Sequence, residues 1–401
     1  MLTPEAAWQL IAAEIEPLPS RDTPRMAAAG RVLAAPLAAT VDQPPADVSA
    51  MDGYAVHGEV AAGAPVPVRG MVAAGRPPAL ELSAGEAAKI MTGAVVPKGG
   101  DRVIPVEESD GGDEVVRFRT VTEKGAHIRL GGEVIRAGGP LLERGALLTP
   151  GAISALASHG YASVPTIRQP AVAVMTTGDE VIPPEEQPAP GQLRDSNTSF
   201  LVAAGHSLDL AFRSLGIARD DTDVLRARIR EGLESDVLLL CGGVSMGDYD
   251  FVEDVLAELG CEQLFDKVAI QPGKPLVAAR HPGGWVFGLP GNPASVMVTF
   301  WLFVRPLLRR LQGLPGCGFW EGALEAELTA LLPESKGRDR FLPAEVAFRG
   351  GKVYATPRPP HGSHDVVAYG HGTALVRVHR DAVEPTPAGE RCEVLPLGNW
   401  G

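Results

Sequence analysis

DVLLLCGGVSMGDYD, the sequence of residues 236–250, decides the fold of this chain. Its first five residues form a mostly aliphatic run, which predicts a strand at 236–240 that is buried on both faces of a sheet. The strand stops at Gly242 and Gly243, where the missing Cβ atoms let backbone amides approach a ligand. The helical pattern FVEDVLAEL follows. Because open α/β sheets bind ligands where a strand turns into a helix, the stretch predicts an α/β domain with its site at this turn.

The same alternation of strand and helix extends over residues 169–318, which predicts a parallel sheet with helices on both faces. AVAVM and WVFG are further predicted strands, and residues 196–216 and 294–311 are predicted helices. The carboxyl ends of parallel strands meet at one edge of a sheet, so three polar turns should lie together there. These turns are TTGDE at 176–180, GG at 242–243 and LPGNP at 289–293.

The rest of the chain divides into segments of different character, so the predicted fold class is α/β with several domains. Residues 1–42 and 135–168 contain two capped helix starts, Thr3-Pro4 and Thr149-Pro150, and form a predicted helical segment. Residues 43–134 are rich in proline, glycine and short β-type runs, which predicts an inserted β-rich domain. Residues 319–401 alternate without helix patterns, which predicts a small C-terminal β-barrel or sandwich.

The composition narrows the class of protein. The 401 residues include 36 Lys and Arg against 49 Asp and Glu, a net charge of −13, which argues against nonspecific binding to nucleic acid or to an anionic membrane. The four cysteines form no CxxC motif, which favours reduced thiols in a cytoplasmic protein. The N-terminus lacks a basic signal-peptide start, and the most apolar helix pattern is too short to span a bilayer.

The three turns indicate phosphate chemistry. Glycine-rich amides with helix N-termini behind them bind phosphates, and Glu180 with Asp250 can hold a hydrated Mg²⁺. Lys267 and Lys274, the latter in a Gly-Pro turn, suit a phosphate or a tetrahedral oxyanion. Each turn alone is equally typical of an ordinary capped turn. Their occurrence three times in one α/β segment favours the functional interpretation.

Two alternatives arise from the same residues. GVSMG at 243–247 matches the nucleophile elbow of serine hydrolases, with Ser245 as nucleophile and with Asp266 and His361 or His364 in a suitable order. That hypothesis leaves the other two turns unexplained. His361 and His364 also form a weak metal-binding pattern, since no cysteine or carboxylate ligand motif accompanies them.

Seven motifs together carry a resemblance to a known family. In chain order they are MDGYAV (51–56), MTGAVVP (91–97), TTGDE (176–180), RDSN (194–197), GGVSMGDYD (242–250), QPGKP (271–275) and GLPGNPAS (288–295). In this order and spacing they resemble the molybdopterin molybdenumtransferase (MoeA) family, which is related to the E domain of gephyrin. The resemblance extends over nearly the whole chain, from residue 49 to residue 363.

The resemblance implies a central MogA-like domain and a defined reaction. Adenylylated molybdopterin and molybdate are bound, the phosphoanhydride is cleaved with Mg²⁺, molybdenum enters the dithiolene, and AMP leaves. It also implies an elongated homodimer, in which the α/β domain of one chain faces the C-terminal β domain of the other. Transient contacts with a molybdopterin adenylyltransferase and with molybdoenzyme maturation partners are expected.

The resemblance also assigns roles to residues. The expected catalytic residues are Asp52, Thr92, Glu180, Asp220, Asp250, Lys267 and Ser363, of which Glu180 and Asp250 are the metal ligands. The expected substrate-binding residues are Gly178, Asp179, Asp195, Ser196, Asn197, Gly242, Gly243, Ser245, Gln271, Lys274, Pro290, Gly291, Asn292 and Arg338.

Three positions depart from the family pattern, and each loses a charge: Val134 for an acid, Gln271 for a lysine and Pro343 for an arginine. Gln271 can still donate hydrogen bonds to an oxyanion. The departures keep open a weakly active paralogue or a noncatalytic scaffold. An enzyme like the molybdopterin adenylyltransferase is a further alternative. The inserted N-terminal region and the C-terminal β domain argue against it, because that activity needs only the α/β unit.

Overall fold

A computed structural model describes residues 1–219, 221–243 and 251–398. The chain forms two compact units, one of residues 22–166 and the other of residues 1–21 with 167–401. Within the described ranges the helices are α1 (Pro4–Ala13), α2 (Pro150–Ser158), α3 (Ser196–Ser207), α4 (Thr222–Gly232), α5 (Phe251–Glu258), α6 (Pro293–Thr299), α7 (Arg305–Leu311) and α8 (Val366–Gly370).

The strands of the described ranges, in chain order, are β1 (Ser20–Pro24), β2 (Leu37–Ala38), β3 (Val48–Ser49), β4 (Gly53–Val56), β5 (Pro65–Val72), β6 (Ala87–Ile90), β7 (Arg102–Pro105), β8 (Val115–Arg117), β9 (Ile128–Arg129), β10 (Pro140–Leu142), β11 (Ser163–Ile167), β12 (Val172–Thr177), β13 (Val181–Ile182), β14 (Leu193–Arg194), β15 (Phe212–Ala218), β16 (Val237–Cys241), β17 (Glu262–Lys267), β18 (Ile270–Gln271), β19 (Pro275–His281), β20 (Gly284–Leu289), β21 (Leu324–Leu328), β22 (Asp339–Arg349), β23 (Lys352–Pro357), β24 (Ala374–Val378) and β25 (Arg391–Pro396).

The larger unit is built on a sheet of order β15-β12-β16-β20-β19-β17. Its strands run parallel except β19, which is antiparallel to both neighbours. β12 and β16 are buried at every residue because α1, α3 and α6 cover one face and α4 and α5 the other. The α/β prediction is confirmed. The strand expected at 236–240 is observed one residue later.

The helix predicted at 196–216 is wrong beyond Ser207. Asp209 adopts a positive φ of 57°, which ends the helical path, and the chain returns as β15. A Cβ on Gly205 would lie 2.7 Å from the ring of Phe212, so the returning strand packs directly on the helix. Phe212, an apolar residue counted toward the helix, is instead buried in the sheet core.

Several elements of the sheet domain were not predicted, among them α4, β17 and β19. α4 is highly charged and buries few apolar side chains, among them Leu225 and Ile229. β19 forms a hairpin with β20 through a short turn at residues 282–283. The predicted helix at 294–311 is observed as α6 and α7 joined by a π-helical turn, Phe300–Val304, in which the N–H of Arg305 bonds to the carbonyl of Phe300. This wider turn precedes Pro306, which has no N–H to donate.

The C-terminal strands close a barrel. Its order is β22-β23-β21-β25-β24, and β24 pairs back with β22, which confirms the predicted small β-barrel. The short strand β18, from the sheet domain, adds in parallel to the start of β22. One apolar core joins α1, the sheet and the barrel, since Trp8, Phe287 and Phe341 belong to the same buried cluster.

The smaller unit contains the sheet β7-β4-β6-β5-β8, with Tyr54 and Ile104 in its core. α2 packs in a separate cluster with Leu33 and Leu148, and the hydroxyl of Thr149 caps it by accepting a hydrogen bond from the N–H of Ala152. Across the part of the chain that the structure describes, no helix is both long and apolar enough to cross a membrane.

A polar network ties α1 to the barrel. Asp339 in β22 is fully buried and accepts hydrogen bonds from the guanidinium of Arg377 (2.5 Å) and the backbone N–H of Arg380 (2.8 Å). Both arginines also donate to the carboxylate of Glu5 in α1. The network therefore neutralises a carboxylate that would otherwise be costly to bury.

Acid is expected to weaken this network through Glu5. Partial burial raises the pKa of Glu5, but hydrogen bonds from its own backbone N–H and from Arg377 and Arg380 outweigh burial and lower the pKa from 4.5 to about 2. Because the folded-state pKa lies below the unfolded value, the contribution is complete above pH 4.5 and is lost as the pH falls toward 2. After allowance for the exposed part of this side chain, we expect the ionised Glu5 to contribute about 1 kcal/mol to the free energy of unfolding.

The measurement is equilibrium unfolding in urea of the wild type and of Glu5→Gln at several pH values. The two proteins should differ in unfolding free energy near neutral pH and converge as the pH falls below the unfolded pKa of Glu5. A difference that stayed constant over this range would rule out the ionised Glu5 carboxylate as its source.

Candidate active site

The carboxyl ends of β12, β16 and β20 surround a cavity of about 610 Å³. All three predicted turns contribute to its wall. The predicted substrate-binding or metal-binding residues that line it are Gly178, Glu180, Asp195, Ser196, Asn197, Gly242, Gly243, Pro290, Gly291 and Asn292. Thr177 and His364 also line it. Thr177 had no predicted role, and His364 was predicted only as part of a hydrolase or a metal pair.

Glycine is required at two positions of the wall. Gly242 has a φ of +89°, and a Cβ there would lie 2.9 Å from the carbonyl oxygen of Thr177. Gly178 has a φ of +133°, and a Cβ there would lie 2.6 Å from a carboxylate oxygen of Glu180. Both residues therefore bring backbone to the cavity surface in a conformation that other residues rarely adopt. Asp179 lies between Gly178 and Glu180 and is exposed.

The start of α3 forms one side of the cavity. Asp195 caps the helix by accepting a hydrogen bond from the N–H of Thr198 (2.9 Å), and it also accepts one from the hydroxyl of Thr176 (3.2 Å). The side-chain amide of Asn197 donates to the carbonyl of Gly291 (2.8 Å), which fixes α3 to the third turn. The carboxylate of Asp195 therefore holds the start of α3 through hydrogen bonds within the protein.

A loop of the barrel also reaches the cavity, which its residue His364 lines. The side-chain amide of Asn292 donates to the hydroxyl of Ser363 (2.9 Å), and the N–H of Ala294 donates to the carbonyl of Ser363 (3.1 Å). Asp365 holds the loop, and hydrogen bonds from the N–H groups of Ala368 and His361 lower the pKa of Asp365 to about 2. The structure therefore brings Ser363 to the third turn and adds His364 to the lining.

The residues predicted to bind an oxyanion, Lys267, Gln271, Lys274 and Arg338, are not among those that line the cavity. Lys267 pairs with Asp266 (2.7 Å), which raises the pKa of Lys267. Gln271 pairs through β18 with Arg340 in β22. Lys274 is exposed and immediately precedes Pro275, which lines the cavity. Arg338 directly precedes β22, and its carbonyl accepts a hydrogen bond from Ser335.

The other two departures from the family pattern lie in different surroundings. Val134 is 70% exposed, on the smaller unit. Pro343 is buried in β22, where its carbonyl accepts a hydrogen bond from the N–H of Arg358. The guanidinium of Arg358 is paired with Glu345 at 2.6 Å, so this arginine is already engaged.

Asp52 and Thr92 are in contact within the smaller unit. Asp52 accepts hydrogen bonds from the backbone N–H of Thr92 (2.6 Å) and from its hydroxyl (2.7 Å), and both lower the pKa of Asp52. Both residues are exposed. The turns that hold them are separated by 40 residues in sequence, so composition alone gave no indication of this pair.

Asp220, Ser245 and Asp250 lie outside the described residues. Among the described residues, no group of three or more His, Cys, Asp or Glu is placed to hold a metal. Glu180 alone still suits Mg²⁺, which takes one or two carboxylates and completes its shell with water and phosphate oxygens.

The described partners of the proposed hydrolase residues do not support a triad. Asp266 is bound to Lys267. His361 pairs with Asp365. Among the described residues, no hydrogen bond joins Asp266 to His361 or to His364.

Comparisons with known proteins agree with this architecture. Three family models match in order: MoeA N-terminal region (domain I and II) at residues 2–160, probable molybdopterin binding domain at 173–310, and MoeA C-terminal region (domain IV) at 325–397. The chain is 36% identical over 388 residues to molybdopterin molybdenumtransferase 2 of Mycobacterium tuberculosis (strain ATCC 25618 / H37Rv), covering 93% of this chain and 94% of the relative.

Two further similarities cover most or all of the chain. It is 38% identical over 372 residues to the molybdopterin molybdenumtransferase of Synechococcus elongatus (strain ATCC 33912 / PCC 7942 / FACHB-805), covering 89% of this chain and 91% of the relative. The crystal structure of the molybdopterin biosynthesis MoeA protein from Pyrococcus horikosii superposes with a TM-score of 0.84 at 31% identity and covers 100% of both chains. With its fold and its sequence matching over nearly its full length, this chain belongs to the MoeA family of molybdopterin molybdenumtransferases.

Proposed function

We propose that this chain inserts molybdenum into molybdopterin during molybdenum cofactor biosynthesis. Its substrates would be molybdate and adenylylated molybdopterin, and AMP would leave after Mg²⁺-dependent cleavage of the phosphoanhydride. The observation that carries the proposal is the cavity where the three glycine-containing turns meet. Backbone at such strand ends binds phosphorylated ligands in open α/β sheets.

In this proposal, some residues around the cavity bind the substrate and others hold the metal. Gly178, Gly242, Gly243 and Gly291 would let the substrate approach the backbone, and Ser196, Asn197, Pro290 and Asn292 would shape the pocket for it. Asp179, which is exposed beside Gly178, would contact the substrate at the rim. Glu180 would hold Mg²⁺, with Asp250 as the second carboxylate. Mg²⁺, when bound, neutralises phosphate charge and so lowers the barrier to cleavage of the anhydride.

A second group would bind molybdate, which is a tetrahedral dianion. Lys274 makes no ion pair with any residue that the structure describes, so its charge is available to an oxyanion. Gln271, Arg338 and Ser363 can add hydrogen-bond donors, and Lys267 a second cation. Asp52, Thr92 and Asp220 are the remaining proposed catalytic residues. Because Asp52 already binds Thr92, these two would act as one unit.

The oligomeric state, the compartment and the protein partners are also proposed. We propose a homodimer in the cytoplasm that has transient contact with a molybdopterin adenylyltransferase and with molybdoenzyme maturation partners. The support for these statements is the membership in the family.

The test supplies the purified protein with adenylylated molybdopterin, Mg²⁺ and molybdate, and measures AMP release together with molybdenum bound to the product. We expect release that depends on both Mg²⁺ and molybdate. A parallel reaction with molybdopterin and ATP tests the adenylyltransferase alternative. Folded protein that released no AMP in the first reaction would refute the proposal.

A further inference from the structure

A separate cavity of about 200 Å³, the α7 cavity, lies between α7 and the loop that leads from it to the barrel. Its lining includes Arg305, Arg309, Gly316, Cys317, Gly318 and Glu321. It shares no lining residue with the cavity at the carboxyl ends of β12, β16 and β20. None of the predicted catalytic or substrate-binding residues lines it, so the proposed reaction does not account for this site.

Two arginines extend from α7 into the lining. Arg305 and Arg309 are four residues apart, which places them one helical turn from each other on the same face. The Arg305 guanidinium lies over Trp301, 5.6 Å from the centre of its ring. Within the part of the chain that the structure describes, neither guanidinium forms an ion pair or a hydrogen bond. Because arginine keeps its charge in proteins, the wall carries two positive charges without a bound carboxylate.

A ligand in the α7 cavity can reach both guanidinium groups. Both residues are half-buried, and none of their nitrogens is among the fully buried atoms that lack a partner. The site is nevertheless partly shielded from water, since burial lowers the pKa of Arg305 and the nearby charge of Arg309 lowers it further. Two like charges in such a wall repel each other unless an anion lies between them. The arrangement therefore favours an anionic ligand.

The loop at residues 312–322 contributes backbone to the same wall. The carbonyl of Arg309 fixes its start by accepting a hydrogen bond from the N–H of Leu314 at 3.1 Å. Gly316 then adopts a φ of +65°, which glycine tolerates best. The N–H groups of Gly316 and Gly318 make no hydrogen bond to another described residue. They are therefore available to donate to a bound anion, as successive backbone N–H groups do in other anion sites.

Glu321 places one carboxylate in the lining. Its oxygens lie over the loop, since a Cβ on Gly316 would be 2.5 Å from one of them and a Cβ on Gly318 would be 3.7 Å from the other. Glu321 is exposed and forms no ion pair with Arg305 or Arg309. Two arginines and one glutamate leave the α7 cavity with a net positive charge. Glu321 should oppose an anion there, which gives the arginines and the glutamate opposite expected effects.

We propose that the α7 cavity binds a small tetrahedral oxyanion of the class of sulfate, phosphate and molybdate. Arg305 and Arg309 hold it with charge-assisted hydrogen bonds, for which the planar guanidinium is well suited. The backbone N–H groups of Gly316 and Gly318 complete the site. Drug-sized ligands occupy cavities of about 300 Å³ or more, so the volume of this one favours an inorganic ion. The site stands apart from the substrate cavity and does not depend on the proposed reaction.

The test titrates the purified full-length protein with sulfate, phosphate and molybdate by calorimetry, with chloride keeping the ionic strength constant. We expect binding of this class of ion, and we expect Arg305→Gln and Arg309→Gln each to weaken it by about tenfold or more, the change that corresponds to hydrogen bonds from a charged group. The matched control is Arg76→Gln, which removes an exposed arginine from the smaller unit and should bind like the wild type.

Glu321→Gln should act in the opposite direction and tighten binding, because it removes the opposing charge from the lining. Thermal unfolding gives a second measurement, since a bound oxyanion stabilises the folded state. The oxyanion should raise the melting temperature of the wild type more than that of Arg305→Gln. Without oxyanion the two should melt alike, because the variant loses the Trp301 contact but also the repulsion from Arg309. Glu321→Gln carries the test alone if the arginine variants fail to fold.

Three results would overturn the inference. The first is a wild type that binds none of the three ions. The second is equal affinity in the folded Arg305→Gln and Arg309→Gln variants, which would place the bound ion at another site. The third is an oligomeric state, measured by light scattering, that changes in Arg305→Gln while oxyanion binding does not, since the arginines would then pair with carboxylates of another chain.

Discussion

Replacing Glu180 with glutamine is expected to lower the turnover number for AMP release by about two to three orders of magnitude while the fold stays intact. A divalent ion that stabilises phosphate charge contributes several kcal/mol, and each factor of ten in rate corresponds to about 1.4 kcal/mol. The carboxylate of Glu180 lies close to the backbone of Gly178, and both residues line the cavity. The N–H of Leu193 holds the carbonyl of Glu180 at 2.8 Å, so the turn remains fixed when the charge is removed.

The same replacement at Glu185 is the matched control. Glu185 is an exposed carboxylate on the loop that follows β13, and it does not line the cavity. Glu185→Gln should therefore turn over like the wild type. The dependence of the rate on Mg²⁺ concentration gives a second measurement, because Glu180→Gln should need more Mg²⁺ for half-maximal rate. If the two variants lost activity equally, Glu180 would not be the metal ligand.

The largest loss of stability is expected from Asp339→Asn. The fully buried carboxylate of Asp339 faces Arg377 and Arg380, and breaking a buried ion pair costs about 3–5 kcal/mol because the partner charges remain buried. Glu5 neutralises part of the charge of the two arginines, but it already does so in the wild type and cannot replace the lost carboxylate. Unfolding in urea, followed by tryptophan fluorescence, should show the midpoint moving to lower denaturant.

Glu345→Gln serves as the comparison on the same strand. Glu345 pairs with Arg358, and both side chains are 44% exposed, so this pair should contribute less than about 1 kcal/mol. A loss for Asp339→Asn no larger than that for Glu345→Gln would show that the buried network does not stabilise the fold.

The sequence predicted the sheet domain well where local signals were strong. The aliphatic run before Cys241 has no polar interruption, and Gly242 adopts the left-handed conformation that glycine favours. The prediction failed where a strand follows a helix without such a signal. Phe212 extends the helical periodicity of α3, and only the tertiary fold shows that it enters the sheet. The charged pattern of α4 likewise gives little apolar periodicity to detect.

The sequence proposed residues for the site but could not give their arrangement. Resemblance assigned Asn292 and Ser363, but their contact joins residues 71 positions apart and brings His364 along with it. Such a pairing depends on how the barrel packs, which local periodicity does not encode.

The apolar core shared by α1, the sheet and the barrel limits where this chain can be divided. A polypeptide ending at residue 318 would uncover Phe287 and Phe303 on one side of the cut and leave Phe341 without its packing partners on the other. We therefore expect neither fragment to fold stably by itself. Gene fission or limited proteolysis would be tolerated in exposed loops such as the one containing Glu185, where the ends stay held by the sheet. We therefore expect the barrel and the sheet domain to unfold together.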